Sequence, residues 1–237
     1  MGDIFSLGFG PFRWICASGS PDDLHLTDKV AGDILEKLRV NAMNPRDRMQ
    51  YDDNILWIRQ AESNRLVVGS QARILYSNAE GRVEIALAFN RAIREGTLRG
   101  PVILSRDHHD TGGADSPWRE TSNIRDGSRY TADMSFQTIV GDSFRGATWV
   151  AYHNGGGTGW GEAANGGFAL VLDGSLAADT KARSMLWWDV NNGVTRRAWD
   201  GNEYAEDTMR MNMRMDPLLR VTLPHHADDA LLKHLIP

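Results

Sequence analysis

"GATWVAYHNGGGTGWGEAANGGFALVLDG", residues 146–174, is the stretch on which the reading of this chain turns. Its flanks, "GATWVAYH" and "GGFALVLDG", are apolar and β-branched and read as strands, while residues 153–167 between them hold seven glycines in fifteen positions. A dinucleotide-binding turn needs a strand, then G-x-G-x-x-G, then a helix whose N-terminus faces the pyrophosphate, with an acidic residue about 20 positions later. Here the spacing is G-G-G-x-G-x-G, a second strand follows, and there is no Walker lysine. A phosphate cradle is therefore disfavoured. Two readings remain open. Backbone bare enough for a flat ligand could lie here, with Trp160 to cover it and His153 and Asn154 as donors or acceptors. Alternatively the glycines make a tight crossing between two strands.

On either side of this stretch, strands alternate with helices. "SGSPDDLHLTDKVAGDILEKL", residues 18–38, has a serine at an N-cap position, Pro21 at the first helical position and Asp22 and Asp23 in the first turn. Leu24, Val30, Ile34, Leu35 and Leu38 then recur at helical spacing. Further helices are expected over 46–62, 81–95, 131–140, 177–188 and 201–213, with "NNGVTRRAW" separating the last two and "DDALLKHL" forming a final one. "RLVVGSQARILY", residues 65–76, suggests strand, turn, strand. "GPVILSRD" reads as a buried strand and "LRVTL" as a short one. The expected class is α/β, a mixed sheet flanked by helices, in a single domain over 1–237 with no internal repeat or linker.

Composition sets the outer bounds. Hydrophobic residues make up 41% and charged residues 24% of the 237, with a formal charge of -5 and no cluster of Lys and Arg, so no nucleic-acid partner is indicated. No run of about 18 apolar residues could cross a bilayer, and the first residues lack a basic region before an apolar run, so neither membrane association nor a signal peptide is expected. A lone cysteine, Cys16, fits a reducing compartment, and a cytoplasmic location follows as the expectation. The opening "IFSLGFGPFRWICASG" reads like a protein interior and suggests an internal boundary.

Candidate chemistry concentrates in "DHHDTGGADSPWRETSNIRDG", residues 107–127, a long polar stretch without periodicity. Arg106, Asp107, His108, His109 and Asp110 directly follow a strand's carboxyl end, where ligand crevices form in open α/β sheets. Adjacent histidines on an extended segment point to opposite faces and no further ligand stands at metal spacing, so no metal is expected. General acid/base work suits Asp110 with His108 or His109, because a carboxylate beside an imidazole tunes both toward neutrality. Arg119 offers a planar fork to a substrate carboxylate, and Ser116, Thr121, Ser122 and Asn123 offer neutral hydrogen bonds. A surface loop with locally satisfied charges is the plainer alternative. Arg13, between Phe12 and Trp14, is either stacked on aromatics or held for an anion. Cys16 reads as a small buried hydrophobe, and Trp187 and Trp188 as core or interface anchors.

"FSLGFGPFRW", "VVGSQARILY", "SRDHHDTGGADSPWRETSNIRDGS", "GDSFRGATWVAYHNGGGTGWGE", "NGGFALVLDG" and "WWDVNNGVTRRAW" together resemble the urocanase (urocanate hydratase) family, most closely its eukaryotic-type branch and only its C-terminal part. The resemblance implies hydration of urocanate to 4-imidazolone-5-propanoate in histidine degradation. NAD would be tightly held and would serve as an electrophile toward the imidazole ring rather than as a hydride carrier. It implies a catalytic domain built from N- and C-terminal parts of the chain around an inserted Rossmann-type NAD domain, with two subunits associated. It places Gly157, the third glycine of the run Gly155, Gly156 and Gly157, against NAD. Where bacterial members carry an Arg-Ile-Cys-Trp sequence, Leu75 and Tyr76 stand here, which removes a thiol role from that position. The missing portions imply that this chain alone is inactive, or that it is a remnant used for ligand binding or subunit interaction. Phe5, Phe9, Phe12 and Trp14 are then expected at an exposed or dimer-forming surface.

Overall fold

The computed structural model describes residues 2–66, 70–106, 111–112, 133–154, 164–225 and 227–235. Five strands form one sheet: β1 (Gly10–Cys16), β2 (Ala72–Ser77), β3 (Val102–Ser105), β4 (Trp149–Asn154) and β5 (Ala164–Leu172). Their order across the sheet is β2-β1-β3-β5-β4. Eight helices accompany them among the described residues: α1 (Gly2–Ser6), α2 (Pro21–Asn41), α3 (Pro45–Gln60), α4 (Ala79–Arg94), α5 (Asp133–Phe144), α6 (Leu176–Trp199), α7 (Glu203–Met215) and α8 (Asp229–Leu235).

The α/β class with flanking helices holds, and the strand directions depart from the mixed sheet expected: all four pairings are antiparallel. The reason lies in the connections. Two helices, α2 and α3, join β1 to β2, so the chain returns in the opposite direction. One helix, α4, joins β2 to β3, which therefore run the same way, but β1 lies between them and pairs with both. β4 and β5 form a hairpin.

Period-2 alternation divides the sheet into two faces. Phe12, Trp14 and Cys16 of β1, Leu75 of β2, Val102 and Leu104 of β3, and Leu170 and Leu172 of β5 point inward and are buried. Against them pack Leu24, Ala31 and Leu35 of α2, Ile85 and Phe89 of α4, and Ala182, Met185 and Leu186 of α6. The opposite face carries Arg13, Ile15, Ile74, Ile103 and Ser105, all partly or largely exposed. Outside it, β2 is an edge strand, and Trp57 of α3 caps that edge by donating its indole N–H to the carbonyl of Ile74 at 3.0 Å.

Phe5, Phe9, Phe12 and Trp14 correct the expectation of an exposed aromatic surface: each is at most 1% exposed. β1 is the central partner of β2 and β3, so its aromatic side chains are buried by this chain's own helices. Trp14 also donates to Thr27 Oγ1 at 2.9 Å, which satisfies its one polar atom in the core.

The expected helices correspond to α2, α3, α4, α5, α7 and α8 with shifted ends. Ser20 occupies the α2 N-cap without a side-chain cap bond, whereas Asn44, Asn78, Ser175 and Asn202 each accept a hydrogen bond from a backbone N–H in the first turn. "NNGVTRRAW" is not a break, because α6 runs through it to Trp199. Residues 219–223 form no strand; they lie against Val190 and its neighbours as irregular chain. Of the strand expected at the start of 65–76, Arg65 sits in a turn at φ 51 and residues 67–69 are outside the described ones.

Candidate functional site

Register brings the carboxyl end of β3 and the mouth of the β4–β5 hairpin to one end of the sheet. Arg13 of β1 is paired with Ser105 of β3, and Ser105 with Ala169 of β5. β5 continues beyond that level to Ala164, which pairs with Asn154. The carboxyl end of β3, from which residues 107–110 depart, thus lies at the same end as the mouth of the β4–β5 hairpin, which carries residues 155–163. These strands are direct neighbours. His108, His109, Asp110, Arg119, Gly155, Gly156, Gly157 and Trp160 themselves lie outside the described residues, and His153 and Asn154 end β4.

Arg13 projects from the outer face, opposite to buried Phe12 and Trp14, so those two flanking rings do not stack on it. It lines a cleft of about 560 Å³ with Ile15, Trp57, Leu66, Ile74 and Ser105. The lining mixes apolar side chains with Ser70, Ser105 and a second guanidinium, Arg73, which is paired with Asp28, and such a mixture suits a flat ring bearing an anion. On the same outer face Gly167 follows the hairpin mouth. Among the described residues a Cβ there would meet only the Arg106 carbonyl, at 3.5 Å, so bare backbone is presented beside the end of β3.

Beneath this end lies a buried ionic frame. Arg106 donates Nε to Asp189 Oδ1 at 3.2 Å and Nη1 to the carbonyl of Gly166 at 2.9 Å. Its third nitrogen lies 3.9 Å from Asp142 of α5. Arg82 of α4 stands 3.7 Å from Asp189 and donates Nε to the Ser77 carbonyl at 2.9 Å. Burial pushes the Asp142 carboxyl well above the usual range, and the neighbouring Asp189 charge adds to that, against the pull of Arg106. Two further arginines of α6 hold the chain just past residue 110: Arg197 donates to the Thr111 carbonyl at 2.8 Å and Arg196 to the Gly112 carbonyl at 3.2 Å. Thr138 donates to that same Gly112 carbonyl at 3.0 Å.

Sequence reasoning placed Arg106 beside the candidate acid/base residues but missed Asp142 and Asp189. A signal for Asp189 existed: it shares the helical phase of Met185, Leu186, Val190 and Gly193, so a carboxylate falls on the face that otherwise packs inward. Cys16 is buried, and burial pushes its thiol up to about 11, with Thr27 opposing through a hydrogen bond, which fits an inert core residue.

A family profile described as the Urocanase C-terminal domain matches residues 3–211. The chain belongs to that family. It is 60% identical over 236 residues to a probable urocanate hydratase of Dictyostelium discoideum, with 99% of this chain and 35% of the relative covered. It is 58% identical over 237 residues to the urocanate hydratase of Mus musculus, covering 100% of the chain and 35% of the relative. To the Homo sapiens urocanate hydratase it is 58% identical over 229 residues, covering 97% and 34%. The chain thus spans about a third of the length of these curated relatives.

Proposed function

We propose that this urocanase C-terminal domain supplies the substrate- and cofactor-facing part of a cytoplasmic urocanate hydratase site, a hydro-lyase that adds water to urocanate to give 4-imidazolone-5-propanoate. One observation carries the reading: the strand end leading to residues 107–110 and the hairpin bearing the glycine-rich loop open side by side, with Arg13 on the outer face at the same level. Asp110 with His108 or His109 would move protons at the imidazole and side-chain carbons. Arg119 or Arg13 would hold the propenoate carboxylate in a charge-assisted pair. Gly155, Gly156 and Gly157 would let NAD lie against backbone. NAD, when bound, supplies an electrophilic carbon to the imidazole ring. The remainder of the site would come from a portion corresponding to the other two-thirds of the relatives, and two subunits would associate.

The test follows urocanate's ultraviolet absorbance with this chain and NAD, with and without a protein supplying the N-terminal part and NAD domain. Loss of absorbance only after mixing supports the reading. Turnover by the chain without NAD refutes the role given to the cofactor, and silence in every mixture with folded protein favours a ligand-binding or subunit-interaction module.

A further inference from the structure

Charged side chains are rarely placed in a core unless each is paired, because desolvation is costly. Here Arg82, Asp142 and Asp189 are fully buried and Arg106 almost so. Around them, Arg106, Arg196 and Arg197 tie α6 to backbone beside the candidate site, and Asp142 of α5 lies 3.9 Å from Arg106. Arg106 is the residue immediately before the 107–110 segment, and its fork reaches Asp189 of α6 on one side and the Gly166 carbonyl of the glycine-rich hairpin on the other. Arg197 and Arg196 fix Thr111 and Gly112, immediately after that segment. Asp189 is in turn held from behind by Arg82.

We propose that Arg106, oriented by Asp189, is a positioning residue that fixes the carboxyl end of β3 against Gly166 of β5. What the positioned groups do rests on the urocanate hydratase reading; the clamp itself does not. The guanidinium is needed for its geometry. A planar fork bonds a carboxylate and a carbonyl in fixed directions at once, whereas a lysine ammonium brings charge without that fork and cannot span both with the same angles. Gly166 contributes by its carbonyl and by its lack of a Cβ, which would approach Ile139 to 2.6 Å.

Backbone hydrogen exchange of this chain tests the clamp without any ligand. Arg106→Lys keeps the charge and is expected to speed exchange roughly 10- to 100-fold at residues 104–106, 111–112 and 166–168, the size of losing a hydrogen bond to a charged group. Exchange at Leu35, Leu75 and Phe89 should change by less than about threefold. The double variant Arg106→Gln/Asp189→Asn removes both charges of the bonded pair, although Arg82 then loses Asp189 and Asp142 loses Arg106, and should still show the same selective pattern. Unchanged exchange at the three segments, a uniform rise that includes the far core, or loss of folding in both variants would each overturn the proposal. In the urocanate assay, Arg106→Lys should lower kcat at least about tenfold with KM altered less than about threefold, as expected for misplacement rather than lost binding. Selective exchange with a wild-type protein that never turns over urocanate would sink the functional reading and leave the clamp standing.

Discussion

Gly193→Ala sets helix propensity against packing, and the two predict opposite signs. Gly193 lies in the interior of α6, where alanine is favoured over glycine by about 1 kcal/mol on propensity alone. A Cβ at this position, however, would stand 1.6 Å from the Thr111 carbonyl oxygen and 2.8 Å from the Gly112 nitrogen. Both obstacles are backbone, so no rotamer change relieves them. Restoring even 3.0 Å demands a movement of more than an ångström between α6 and Thr111. That movement strains the bonds from Arg197 to Thr111 and from Arg196 and Thr138 to Gly112. Overpacking costs about 1–3 kcal/mol, and weakening one charge-assisted bond adds about 1–3 kcal/mol. Set against the propensity gain, the net expectation is a loss of about 1–5 kcal/mol, a Tm lower by about 2–20 °C for a chain of this size. Gly32→Ala is the control: in α2 the nearest neighbours of the new Cβ would be the flexible Arg59 side chain and Ile58, at 3.4–3.5 Å, so it should be neutral or stabilising by up to about 1 kcal/mol. Thermal and denaturant unfolding of both variants decides the matter. A Gly193→Ala protein as stable as wild type, or more so, would refute the close approach of α6 to the Thr111–Gly112 backbone.

Burial raises the Asp47 carboxyl to about 6, against about 3.9 in an unfolded chain, so its contribution to stability is fully present below about pH 4 and is lost as pH rises through 6. Asp47→Asn should therefore stabilise the protein by about 1–2 kcal/mol at pH 8 and have little effect at pH 4, read from denaturation midpoints; equal effects at both would contradict it. Asp28 is raised to about 6 as well, because burial outweighs its pairing with Arg73, and removing that partner by Arg73→Met should cost about 3–5 kcal/mol at pH 8 by stranding the carboxylate. The Cys16 thiol should resist a disulfide reagent at pH 8 until the chain is unfolded, and prompt reaction of native protein would show that it is accessible. In a urocanate-hydrating mixture Arg13→Ala should raise KM by roughly 10-fold or more with a smaller effect on kcat, as for a lost charge-assisted contact; an unchanged KM would remove it from the site.

Local signals in the sequence were enough for the helices whose apolar spacing is clear, such as α2 with Pro21 and its leading acids and the expected helix at 81–95, because they act within a few residues. The sequence also carried the hairpin around the glycine-rich loop, and family membership, since long motifs survive without any knowledge of packing. Long-range packing set the rest. Asn-Asn-Gly at 191–193 has the local chemistry of a turn, yet α6 continues. There Gly193 admits the Thr111 backbone, Asn191 donates to the Trp187 carbonyl, and Asn212 of α7 donates to Asn191. The antiparallel sheet depended on β1 lying between β2 and β3, a choice made by long-range pairing. Arg82, Arg106, Arg196 and Arg197 are polar by type and buried by circumstance. A charge becomes tolerable in a core only when distant parts of the chain deliver its partners, here acids on α5 and α6 and carbonyls of Ser77, Thr111, Gly112 and Gly166.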